Sequence, residues 1–282
     1  MVSAAALLAC PGQAFAEEDR ALFWRVTTKD KLSCIIFGYA RLPASLAPDI
    51  VRDGIRMVEQ TPRLVADVPN FDLPPMNFTL RRPLLPRLGQ RTAAELREIL
   101  ARSGKTEQAL ASTPGIFIVM FLAFEGQTDL GRAESVGDAI VNRATELGRP
   151  ITSLLTVDEV KRMVKPIDSF IRLDDTIDDK TITQLLDLRK QVGPLGAHME
   201  RLYRDRKSQE LYRFTDTLEN ITPLSSSSSS MRSDPDLPLS RFLLFLALGD
   251  PGFFLLPVGS LMGPDGVLER LRRQGADIEI LA

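Results

Sequence analysis

Residues 253–282 read FFLLPVGSLMGPDGVLERLRRQGADIEILA, and this stretch decides the fold class. Phe253, Phe254, Leu255 and Leu256, with Val258, form an apolar run of the length of a buried strand, and Gly259 breaks it into a loop. Gly263 and Pro264 fit the N-cap and first position of a helix, where proline's missing N–H costs nothing. Val267, Leu268 and Leu271 give that helix an apolar face, and Gly275 stands where a helix ends in a left-handed residue. Ile278 and Ile280 then alternate with Asp277 and Glu279, the pattern of an edge strand. The unit is strand, glycine loop, helix, strand. In α/β sheets ligands bind beyond the carboxyl ends of the strands, so residues 259–266 are the first place to look for function.

Working outward, the opposite end of the chain holds a matching unit. Leu22 to Val26 alternates as a strand, Thr27 to Asp30 turns, and Leu32 to Phe37 is a second strand ending at Gly38. The loop that follows is Gly38-Tyr39-Ala40-Arg41. Pro48 to Arg56 is helical in pattern, whereas the proline-dense sequence from Pro62 to Pro86 predicts no regular structure. Ala93 to Ala101 is an amphipathic helix. Ile116 to Phe124 is apolar all round and predicts a buried helix. Val136, Ile140, Ala144 and Leu147 mark a helix face stopped by Gly148 and Pro150, and Ile151 to Leu155 is a short strand. Thr156 and Glu159 make a capping box at the next helix start. Thr181 to Val192 and Ala197 to Ile221 complete the helical part, and Ser225 to Ser230 form a low-complexity linker. The sequence thus predicts an α/β fold: a mixed central sheet built from N- and C-terminal strand–loop units, with a helical insertion at about 93–221.

The chain has 35 basic and 37 acidic residues, which leaves no electropositive field, so nucleic-acid binding is not expected. Met1 to Ala16 has the small, apolar character of a secretory leader and ends in Ala14-Phe15-Ala16, so residues 17–282 form the expected mature domain, periplasmic or secreted. Leu7-Leu8-Ala9-Cys10 offers the alternative of a lipid on Cys10. Without the leader only Cys34 remains, which excludes an intramolecular disulfide; its setting in Leu32 to Phe37 is that of a small buried hydrophobe. No segment reaches the ~20 apolar residues of a membrane-spanning helix.

VGSLMGPDGVLERLRRQGADIEIL resembles the closing segment of the TraB/GumN family, bacterial relatives of Tiki-type metalloproteases. The opening Leu22 to Gly38 hairpin and the run GDAIVNRATELGRPITSLLTVDEVKRM are similar to that family's first and central segments. The resemblance implies two Gly-x-x-His loops that bring imidazoles to a divalent metal. It also implies a strand at Met57-Val58-Glu59 whose acidic end faces the site. Three family positions differ here. The first histidine is Arg41, Gly259 is followed by Ser260, Leu261 and Met262 instead of reaching a histidine, and Leu154-Leu155-Thr156 stands where the family has Leu-Glu-Thr. Arg232-Ser233 is a looser counterpart of the family's Arg-Asn.

A neutral imidazole binds a transition metal and leaves it able to activate water, but this chain's one histidine, His198, lies mid-chain on a helix. A guanidinium at Arg41 keeps its charge and repels a divalent cation. With Glu59 facing it, the resemblance implies an Arg41–Glu59 ion pair where the metal would sit. The expectation is therefore no cofactor and no metal. The expected function is a pseudoenzyme-like cleft formed by Gly38, Arg41, Glu59, Gly259 and Ser260 that binds a peptide or protein. The alternatives are a hydrolase using Arg41 for an anionic substrate or oxyanion and Glu59 as base, a carboxylate-only cation site of Glu59 and Asp265, and a structural envelope component.

Overall fold

The structure is a computed structural model that describes residues 20–30, 32–67, 83–104, 106, 113–128, 133–159, 176–222, 241–242, 244–245 and 252–281. The leader with Cys10, the serine run and Arg232-Ser233 lie outside the described residues. Strands β1 (Phe23–Thr27) and β2 (Ser33–Tyr39) form the antiparallel hairpin, with Phe23 opposite Phe37 and Thr27 opposite Ser33. Strand β3 is Leu64–Ala66, β4 is Ile151–Ser153, β5 is Phe253–Pro257 and β6 is Asp277–Leu281. They make one six-stranded sheet in the order β4-β3-β5-β2-β1-β6. The C-terminal β5 runs parallel to both β2 and β3, and β6 closes the far edge antiparallel to β1.

The period of two explains how the sheet is covered. Phe23, Phe37, Phe253 and Leu255 point into one apolar cluster, while Trp24, Ile36, Phe254 and Leu256 point into another on the opposite face. Because β5 is covered on both faces it reads as the unbroken run Phe-Phe-Leu-Leu rather than as an alternation. The larger cluster is roofed by α1 (Pro48–Glu59), α2 (Gln90–Arg102), α3 (Gly115–Ala123), α4 (Val136–Glu146), α5 (Asp179–Val192), α6 (Leu195–Arg204) and α7 (Ser208–Ile221). The smaller one is covered by Leu268 and Leu271 of α9 (Val267–Arg273), which follows the single-turn α8 (Val258–Leu261), and by Phe242. No described helix is long and apolar enough to cross a membrane.

Several local expectations change. Met57-Val58-Glu59 is the last turn of α1: Ile50, Gly54, Met57 and Val58 are its buried positions, a helical spacing that continues through the proposed strand. The strand that follows α1 is β3, inside the proline-dense region. The run Ala197 to Ile221 is two helices, broken where Arg206 takes a φ of 57° and its guanidinium is held by Asp53. α9 begins after Gly266 rather than at Pro264, and α8 occupies part of the expected 259–266 loop. β4 ends at Ser153, though Leu154 and Leu155 still donate backbone hydrogen bonds to Ala66 and Asp67. Met120 on α3 and Phe124, which caps its C-terminus, are 37% and 51% exposed, so the run is not buried all round.

Candidate functional site

β2 and β5 lie side by side and parallel, yet the chain leaves them in opposite directions. After β2 it passes to α1 on the larger cluster's face and then to β3; after β5 it passes through α8 to α9 on the other face and then to β6. This is a topological switch point, where diverging connections open a crevice beyond the strand ends. The segment Gly38 to Arg41, whose first two residues end β2, and α8, which takes up the start of the expected 259–266 loop, flank that crevice.

At Gly38 the two sides approach closely. A Cβ at this position would lie 3.1 Å from Leu261 Cδ1, 3.2 Å from the Trp24 ring and 3.4 Å from Val258 Cγ2, so glycine lets α8 pack onto β2. The hydroxyl of Tyr203, fully buried on α6, donates to the Gly38 carbonyl at 3.4 Å. The next residue, Tyr39, donates its phenol proton across β5 to both carboxylate oxygens of Asp67, at 3.1 and 3.3 Å. Asp67 follows β3 directly, and its own N–H bonds to the Leu255 carbonyl at 3.1 Å, which fixes its side chain at this end of the sheet. Burial, and after it the Asp67 carboxylate, push the Tyr39 phenol well above its ordinary pKa, so it remains a donor. Arg41 and Asp138 also act on it, in opposite senses. Asp138 accepts from the Ser135 N–H and hydroxyl in the capping box that starts α4. Arg41 is exposed and has no ion pair or hydrogen bond among the described residues.

On the other wall, Gly259 faces open space, with nothing within 4 Å of the Cβ it lacks. The Ser260 hydroxyl is exposed and donates to the Pro257 carbonyl at 2.8 Å. Behind it Gly263, at φ 88°, packs against the Tyr212 ring, a position closed to a side chain by both backbone and neighbour.

Glu59 is not part of this arrangement. It ends α1, a helix of twelve residues and so roughly 18 Å long, whereas Arg41 precedes that helix's start. Its carboxylate pairs with Arg143 at 2.5 Å, and Arg149 donates to its backbone carbonyl at 3.2 Å. The expected Arg41–Glu59 pair is not formed; the acid at the crevice is Asp67, which the sequence reading passed over. Its signal was present in Leu64-Val65-Ala66-Asp67, a short apolar run ending in an acid, but the surrounding prolines hid it. Asp265 is exposed in the turn before α9 and distant in sequence and place from Glu59's partners, so the two do not make a carboxylate site.

His198, on α6, lies edge-on to Phe214 with ring centroids 4.7 Å apart and accepts at Nδ1 from Arg201. Partial burial, then the Arg201 charge, lower its pKa. Among the described residues no three His, Cys, Asp or Glu side chains gather in a group able to hold a metal. Cys34 is buried, and desolvation pushes its thiol up to about 12. Leu154 and Leu155 are buried, and the Leu154 carbonyl accepts from Arg241 at 2.6 Å. Set against known proteins, the chain matches no family model, no curated protein and no solved structure.

Proposed function

We propose that this chain is a divergent, exported relative of the TraB/GumN proteins that has lost their metal chemistry and binds a peptide or protein segment in the crevice between the β2 and β5 exits. The observation that carries the reading is the meeting of the β2 and β5 exits, from opposite ends of the chain, at one switch point, with open space at the Cβ position of Gly259. Arg41 supports the loss of metal chemistry, since a permanently charged guanidinium at the mouth opposes a divalent cation. The hydrolase alternative used Glu59 as base, and Glu59 is committed to Arg143 at the other end of α1. Export rests on the leader-like Met1 to Ala16, and fractionation of a C-terminally tagged chain tests it: recovery of uncleaved protein in the cytoplasm would count against it.

The binding reading is tested by panning a displayed random-peptide library on the purified chain. Captured peptides should lose most of their binding to a Gly259→Trp variant, whose ring fills the opening, while its unfolding midpoint stays near that of the parent. Undiminished binding would remove the crevice as the site. Stoichiometric manganese, cobalt or zinc, with chelator-sensitive peptide cleavage, would overturn the loss of metal chemistry.

A further inference from the structure

A sheet keeps its unmade hydrogen bonds at its edges, and the longer edge strand here is β6, with five residues against three in β4. The hairpin fixes which of its groups turn outward. The Gly38 N–H donates to the Leu22 carbonyl and the Thr28 N–H to the Leu32 carbonyl, both at 2.8 Å, so the even-numbered residues of β1 turn their backbone groups to β2. By alternation Phe23, Arg25 and Thr27 turn theirs to Leu281, Glu279 and Asp277 of β6. The N–H and C=O groups of Ile278 and Ile280 therefore face away from the sheet, and they meet no partner among the described residues.

The side chains along this edge are sorted by face. Ile278 and Ile280 are half-buried against the smaller apolar cluster, while Asp277 and Glu279 are exposed on the other face. Glu279 pairs with Arg25 at 2.6 Å, whereas Asp277 makes no hydrogen bond or ion pair among the described residues. A second copy of β6 fits poorly. The antiparallel register that would satisfy every outward group sets Ile278 against Ile280 and Glu279 against Glu279, like charges directly opposite. A strand that alternates apolar and basic residues fits better, with its apolar side chains beside Ile278 and Ile280 and a base opposite Asp277.

We propose that β6 takes up an extended segment of a partner protein, alternating apolar and basic residues, as a further antiparallel strand of the sheet. This surface is separate from the crevice, since β1 and β2 lie between β6 and β5.

The probe is a capped synthetic peptide of about seven residues alternating valine and lysine, followed by fluorescence anisotropy. In the antiparallel arrangement its valine amides face Ile278 and Ile280, so N-methylating them should weaken binding by about tenfold or more. N-methylating the lysine amides, which face solvent, should change little. Asp277→Lys, an exposed change, should weaken the lysine peptide about fivefold and tighten a valine–glutamate version. Equal effects of the two methylations, a loss from the lysine amides alone, indifference to Asp277→Lys, or no binding of the probe at millimolar concentration would each overturn the proposal. Dimers of the parent chain in sedimentation that Ile280→Pro abolishes would give the edge to a second copy and overturn it as well.

Discussion

The two ends of the parallel strands carry similar residues and treat them differently. At the amino end, Glu59 is held by Arg143 through its carboxylate and by Arg149 through its carbonyl, and Arg63 donates to the Phe245 carbonyl while lying 5.1 Å over that residue's ring. At the carboxyl end, Tyr39 and Asp67 are joined to each other, Arg41 is exposed, and Gly259 faces open space. Charged residues at the first end tie helices to the sheet. Those at the second stand around an opening that the topology itself creates. Residue type alone does not separate a site from a brace; place on the sheet does.

The largest expected effect breaks the carboxyl end by moving its frame. Gly266 precedes α9, and a Cβ there would lie 2.4 Å from the Met262 carbonyl oxygen and 2.5 Å from that of Leu261. Both are backbone atoms that cannot rotate away. Gly266→Val should cost about 3 kcal/mol, read as a lower urea midpoint with unchanged slope. Peptide binding should fall with it, because α8 and α9 shift together. A variant as stable as the parent would show that this turn does not hold the crevice wall.

Next in size is Tyr39→Phe, which removes one hydrogen bond to a half-buried carboxylate and should cost about 1–2 kcal/mol. The corresponding change at the amino end, Glu59→Gln, leaves an exposed pair weakened and should change stability little. Glu59→Gln should also leave peptide binding as it was. Loss of binding in that variant, with Tyr39→Phe silent, would reverse the assignment of the two ends.

What the sequence revealed and what it concealed divide along the same physical line. The β5 and β6 strands, the α9 face and the Gly275 stop were legible because each is written in local periodicity and turn chemistry; Gly275 does take a φ of 84°. The ends of β2 and β5 were legible for the same reason, but Gly38 and Tyr39 still belong to β2 and Gly259 lies within α8 rather than in a loop. Glu59 was misplaced because a three-residue apolar run suits a strand or a helix end alike, and only the longer spacing from Ile50 through Val58 separates them. Asp67 was missed because β3 is a strand by virtue of its neighbours: its three residues pair with β5 on one side and β4 on the other, partners about ninety and two hundred positions away in the chain. The break at Arg206 has no local signal either. A non-glycine residue in the left-handed region is held there by a guanidinium that reaches Asp53 on α1 and lies over the Phe23 ring.

The smallest effect separates a braced acid from an open site within the carboxyl end itself. Glu159 lies just beyond β4, where its carboxylate caps Thr156 and takes a bidentate pair from Arg241 at 2.5 and 2.7 Å. The Arg241 hydrogen bonds first, and the Thr156 N–H and hydroxyl after them, lower its pKa from 4.5 to about 2. A carboxyl group whose pKa is depressed on folding contributes stability that is complete above its unfolded value and is lost as pH falls through the folded one. Its contribution should therefore be full above about pH 5 and fade between there and pH 2. Urea midpoints measured across that window should fall less steeply in Glu159→Gln than in the parent, while peptide binding at neutral pH stays the same. If Glu159→Gln instead abolishes binding and leaves the acid limb unchanged, the opening extends past β4, and the distinction between brace and site must be drawn further along this edge than Asp67.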